Sequence, residues 1–166
     1  MRFQCSPVDA AFFESAPLQF RYTTQLEASA AKVFAIFKDP QSWPQWFGGI
    51  RKVHWHSAEP FGVGTLRTVT LDTMTVQEHF FRWEEGRRFS FYFANASIPV
   101  FSAFAEDYLL EDAGAGRCRF TYTIGVGLTL PFKLLKPVLR MVLGKSFTGG
   151  NAGLVRYVAN RVRNAA

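Results

Sequence analysis

From Ile50 to Ile124 the sequence alternates apolar and polar residues in six short stretches, each closed by a turn signal. The stretches cover residues 50–57, 64–71, 74–83, 88–94, 103–111 and 117–124. Between them lie Glu59-Pro60-Phe61-Gly62, Asp72-Thr73, Glu84-Glu85-Gly86, a looser 95–102 segment, and Asp112 to Gly116. Period-two stretches this closely spaced predict an antiparallel meander, because parallel neighbours need crossovers of about a dozen residues or more.

The flanks supply one more strand and the helices. Residues 18–26 alternate between Pro17 and Ala28-Ser29 and read as a strand. Ser29 is placed to cap a helix running to Lys38, with Val33, Phe34, Ile36 and Phe37 as its apolar face. Asp39-Pro40 ends that helix, and Gln41–Phe47 reads as a second short one carrying Trp43 and Trp46. After Pro131, Leu134, Leu135, Val138, Leu139, Val142 and Leu143 recur at helical spacing. Gly144, Gly149, Gly150 and Gly153 leave open whether that helix is continuous before Leu154, Tyr157, Val158 and Val162 resume the period. The fold class is therefore α+β: a curved antiparallel seven-stranded sheet wrapped around a long C-terminal helix, with two short helices after the first strand. A length of 166 residues fits a single domain, with residues 1–17 as an N-terminal extension.

Hairpin arithmetic gives the facing of each strand. If Asp72-Thr73 is a two-residue turn, Leu71 pairs with Met74, Val69 with Val76 and Arg67 with Glu78. A loop at 84–87 pairs Phe80 with Phe91 and Glu78 with Phe93. A loop at 112–116 pairs Leu110 with Cys118, Tyr108 with Phe120, Glu106 with Tyr122 and Phe104 with Ile124. Every ladder collects its large apolar residues on one face, and that face also carries Arg67, Glu78 and Glu106. Buried charges need partners, water or ligand. Two readings stay open: a structural Arg67–Glu78 bridge with Glu106 at a frayed strand end, or a polar spot inside an apolar cavity.

Composition narrows the function classes. The 18 Phe, 5 Tyr and 4 Trp exceed what a plain core needs and suggest an aromatic-lined interior. Two cysteines outside any CxxC or Cys/His cluster favour a reducing, cytoplasmic setting and no structural metal. No apolar run reaches spanning length, and Met1 to Pro7 lacks the continuous apolar stretch expected of a signal peptide. All thirteen Asp/Glu fall in residues 1–112, whereas residues 113–166 hold nine Lys/Arg and no acid. A solvated helix face is the ordinary reading of that asymmetry. At most, Lys133, Lys136 and Arg140 give weak, salt-sensitive contact with an anionic membrane. No recognition-helix motif accompanies the charge, so nucleic acid is not an expected partner.

Several residues carry a resemblance. Ala31-Lys-Val-Phe34 leads to Asp39-Pro-Gln-Ser-Trp43-Pro-Gln-Trp46, followed by Gly62-Val-Gly-Thr65, Val76-Gln-Glu78 with Trp83, Arg88-Phe89-Ser-Phe91, and Gly116 entering the last strand. In that order, over about residues 18–163, the chain resembles the START/Bet v 1-like (SRPBCC) superfamily and within it the polyketide cyclase/dehydrase-like proteins. The resemblance implies a helix-grip fold with a cavity for a hydrophobic ligand. It does not imply one activity, because the superfamily includes carriers and enzymes alike.

The expected function is binding of a lipid-, quinone- or polyketide-like small molecule, by a monomer or homodimer, with no cofactor. The alternative is a cyclase or dehydratase in which Glu78 or Glu106 is the acid/base and Arg67 polarises a carbonyl. The expected ligand-binding residues are Arg67, Glu78, Phe80, Phe91, Phe93, Glu106, Tyr108, Phe120 and Tyr122, around a pocket of about 300 Å³ or more. Other chemistry finds little support. His54, His56 and His79 are expected on the solvent face rather than around zinc, and Cys118 as a packed thiol. Trp43 and Trp46 are expected to anchor the short helices. Gly62-Val-Gly64 and Gly125-Val-Gly127 are read as turns, not phosphate loops.

Overall fold

The computed structural model describes residues 1–165. Its elements in chain order are β1 (Phe3–Gln4), α1 (Phe12–Ser15), β2 (Leu18–Leu26), α2 (Ala30–Lys38), α3 (Trp43–Trp46), β3 (Ile50–Trp55), β4 (Leu66–Leu71), β5 (Thr75–Glu84), β6 (Arg88–Ala96), β7 (Phe101–Asp112), β8 (Cys118–Leu128), α4 (Leu130–Lys133) and α5 (Lys136–Ala165). The strands form an antiparallel sheet in the order β2-β8-β7-β6-β5-β4-β3. Helices α2, α3 and α5 cover its concave face, and the apolar core lies between. Ser29 caps α2 as expected, its hydroxyl accepting from the Lys32 N–H.

The sheet has eight strands rather than seven, because β1 pairs with β6. Strands β6 and β7 pair only from Arg88/Leu109 to Tyr92/Ala105. Where they part, Phe3 and Gln4 take the vacated edge beside Ala96 and Asn95. Backbone groups freed by the split thus find partners within the chain.

The Asp72-Thr73 hairpin has the expected register, with Arg67 opposite Glu78 and Val69 opposite Val76. Phe80 also meets Phe91, and Glu78 meets Phe93, between irregularities at 77/78 and 80/82. The last hairpin is corrected by two residues: Leu110 meets Phe120, Tyr108 meets Tyr122, Glu106 meets Ile124, and Phe104 meets Val126. Its loop is 113–117, closed by Ala113 N–H donating to the Arg117 carbonyl, with Gly114, Ala115 and Gly116 all at positive φ. A two-residue slip keeps every side chain on its face, so the inward set survives the wrong pairing.

Two further expectations change. Gly125 and Gly127 lie inside β8, not in a turn. A Cβ at Gly125 would stand 3.0 Å from the Phe12 ring, so the bare backbone makes room for α1 on the convex face. Helix α5 runs unbroken through all four glycines. A Cβ at Gly153 would stand 1.9 Å from the Trp46 carbonyl oxygen, and one at Gly150 2.6 Å from the Phe47 ring. These glycines let the helix press directly onto α3, at a local cost in helix propensity.

Candidate functional site

Inward-facing side chains of β3 to β7, Trp43 and Phe47 at α3, and one turn of α5 enclose a cavity of about 80 Å³. Its wall is mainly apolar, with Val69, Val76, Phe91, Phe93, Phe104 and Phe147 prominent, and its polar members are Arg67, Glu78, Glu106, Tyr108 and Ser146. Lining residues with surface in solvent are Leu71, Met74, Leu143 and Ser146, which places the open side between the β4–β5 turn and α5. The volume falls short of the expected 300 Å³. The aromatic residues pack on one another instead of standing apart: Phe93 and Phe104 stack at 4.0 Å, and Phe89 and Tyr108 at 4.7 Å.

The register sets the polar cluster. Arg67 and Glu78 are directly opposed on β4 and β5, and Arg67 Nε donates to Glu78 Oε2 at 2.5 Å. Trp43 covers the guanidinium at 4.5 Å and Trp55 at 4.9 Å, with Phe80 and Phe91 each at 5.2 Å. Four rings around one cation replace part of its hydration through their negative faces. Nη1 of Arg67 is buried and has no partner, so one strong donor is free. Glu106, between Phe91 on β6 and Ile124 on β8, accepts from the Tyr108 hydroxyl at 2.8 Å. The Tyr122 hydroxyl is buried without a hydrogen-bond partner.

Electrostatics divide the two carboxyl groups. Burial, reinforced by the nearby Glu78 charge and opposed by the tyrosine hydroxyls and Arg67, lifts Glu106 to about 8. Burial also raises Glu78, but its immediate ion pair with Arg67 pulls the other way. Near neutral pH Glu106 is therefore held as a protonated acid beside the Arg67–Glu78 pair. Tyr108 and Tyr122 are pushed well above the ordinary phenol range, chiefly by burial and then by Glu106. The arrangement offers a donating carboxyl, a phenol and a guanidinium N–H to an uncharged oxygen.

Of the residues expected at the site, Arg67, Glu78, Phe91, Phe93, Glu106 and Tyr108 border the cavity. Phe80, Phe120 and Tyr122 face the same interior but lie behind the lining. The sequence reading passed over Phe147, although continuing the period Leu139, Leu143, Phe147 points to it. It also passed over Met74 and Leu71, whose turn forms part of the mouth. A third buried carboxyl group, Asp107, has opposite parity and lies on the convex face. Ser90 donates to it at 2.6 Å and Arg88 at 2.9 and 3.1 Å, so its oxygens are occupied structurally. His54 and His56 stand at the surface, and Cys5 and Cys118 are buried free thiols. Among the described residues no three His, Cys, Asp or Glu side chains group to hold a metal ion.

The family model "Polyketide cyclase / dehydrase and lipid transport" matches residues 17–159. The chain belongs to that family. An uncharacterised protein of Mycobacterium bovis, a relative of this family member, is 38% identical over 146 residues, covering 85% of this chain and 87% of its own. Among solved structures, the Zhui aromatase/cyclase of a Streptomyces species superposes with a TM-score of 0.76 at 13% identity, over 90% of this chain and 98% of that one. A START superfamily protein of Mycobacterium smegmatis gives 0.72 at 14%, over 86% and 97%. At these identities the structural likenesses establish the helix-grip fold. The family and the cavity together make this a fold built around a hydrophobic-ligand site.

Proposed function

We propose that the cavity takes a hydrophobic small molecule bearing uncharged oxygens and acts on it as an acid–base catalyst of the cyclase/dehydratase type. The observation that carries this is Glu106: a carboxyl on the wall of an apolar cavity, kept protonated to about pH 8 and held by Tyr108. A neutral acid poised near the working pH is what protonation of a departing hydroxyl requires. In a β-hydroxy ketone, Glu106 gives its proton to the hydroxyl, the carbon–oxygen bond breaks and water leaves. The neighbouring carbon loses its proton to the resulting carboxylate, which closes the cycle. The free N–H of Arg67 polarises the carbonyl so that this carbon–hydrogen bond can break. The aromatase/cyclase named among the structural neighbours supports the same reaction class.

A carrier role is the second reading, favoured by the small cavity and by the Arg67–Glu78 pair, whose charges already satisfy each other. One assay separates the two. A phenyl-bearing β-hydroxy ketone is incubated with the protein, and the conjugated enone is followed by absorbance. Catalysis gives enone formation that declines above about pH 8 and falls at least about a hundred-fold in Glu106→Gln. Binding without enone formation, unchanged in the variant, makes the protein a carrier.

A further inference from the structure

The helical period after Pro131 is expected to bury its apolar face against the sheet, but much of that face lies in solvent. Leu130 is 78% exposed, Leu134 86% and Met141 68%, and Leu135, Val138 and Val142 are each about half exposed or more. Of the same stretch only Phe132, Leu139 and Leu143 pack partly against the core. Val138, Met141 and Val142 lie within about 100° of one another around α5, forming a stripe rather than a scatter. Lys145 lies in line with the stripe and Lys133 precedes it in α4, both exposed; Lys136 and Arg140 point to the other side of α5, Arg140 over the Phe20 ring, and no acidic residue occurs anywhere from 113 to 166.

We propose that α4 and the first turns of α5 dock on an anionic lipid bilayer, with Leu134, Met141 and their neighbours entering the headgroup boundary and the cations resting on lipid phosphates. Contiguous exposed leucines, valines and a methionine are costly in water and mark an interaction surface. Apolar side chains accompanied by lysines, in a segment that carries no carboxylate, match the two forces that hold an interfacial helix: apolar burial and attraction to negative lipid. A second copy of this face is a poor occupant, since it would set cation against cation.

The placement gives the surface a purpose. Leu143 and Ser146, which line the open side of the cavity, follow Met141 and Val142 within about one or two helical turns. Docking would turn the mouth toward the bilayer, where a hydrophobic ligand is concentrated. Loosening α5 there would also widen a cavity that is narrow in the undocked protein. The inference does not depend on catalysis in the cavity.

The test is co-sedimentation of the full-length protein with extruded vesicles of phosphatidylcholine alone or with about a third phosphatidylserine, at low and physiological salt. Partitioning onto the serine-containing vesicles should be at least ten-fold stronger than onto neutral ones and should fall with salt, since each juxtamembrane cation contributes about five-fold. The Leu134→Asn/Met141→Asn variant, altered only at side chains that stand in solvent, should lose at least ten-fold while keeping its melting temperature. Lys133→Gln/Lys145→Gln should lose the preference for anionic lipid. Absence of binding at low salt overturns the proposal, as does binding that the asparagine variant retains. Concentration-dependent self-association that the same variant abolishes, without vesicle binding, would assign the face to a second copy instead.

Discussion

Glu106 sits where two demands on one side chain conflict. The β-sheet parity that fills the interior with Phe91, Phe104 and Tyr108 also turns this carboxyl inward, and burial then favours its neutral form. Because its folded pKa of about 8 lies above the free value of 4.5, the native state keeps a proton that the unfolded chain releases between those limits. Stability should therefore fall as pH rises from about 4.5 to about 8 and level off beyond, where both states are ionised. Urea midpoints at about pH 5 and about pH 9 should differ more in the wild type than in Glu106→Gln, which cannot ionise. Equal slopes in the two proteins would show that the carboxyl does not titrate in this way. The inward facing of Arg67, Glu78 and Glu106 was legible because the face depends only on parity. The partner of Glu106 was not: a loop set one residue early at both ends shifts the register by two. Nothing in the local pattern distinguishes Tyr122 from Ile124 as its neighbour.

Helix α5 shows at the level of one element how far propensity and packing diverge. Four glycines in about ten residues argue locally for a break, yet two of them mark the closest approach between the helix and α3. At Gly153 any side chain meets the Trp46 carbonyl, so Gly153→Ala should cost about 3 kcal/mol or more despite its better helix propensity. At Gly149 nothing lies within 4 Å, and Gly149→Ala should stabilise by up to about 1 kcal/mol. Thermal melts of the two single variants should move in opposite directions. A stabilised Gly153→Ala would mean that α3 yields easily. Helix continuity was hidden from sequence because the reason for these glycines lies about a hundred residues away, in α3. The apolar face after Pro131 was legible as a face, but periodicity says nothing about what covers it.

The whole molecule depends on an arm that carried no sequence pattern. Residues 1–16 supply a two-residue strand and one helical turn, too short for any period to register, and they seal the convex side. Cys5, Phe13 and Ala16 are buried, and Phe13 stacks on Phe81, which stacks in turn on Tyr92. Removing residues 1–16 should leave a folded sheet, since the family match begins at residue 17, but with a melting temperature lower by several degrees. It should also bind more of a dye specific for exposed apolar surface. Unchanged melting would make the arm dispensable. The cavity's own layout has a further consequence. Its open side is rimmed by Leu71, Met74 and Leu143 with the single hydroxyl of Ser146, while Arg67, Glu78 and Glu106 lie within. A molecule entering must shed most of its water among these mainly aliphatic side chains before any charged group compensates. A ketone or hydroxyl gives up a few hydrogen bonds on that path, whereas a carboxylate or phosphate gives up a full ionic hydration shell. Entry thus costs a charged molecule more than a neutral one of the same shape, before the inner residues touch either.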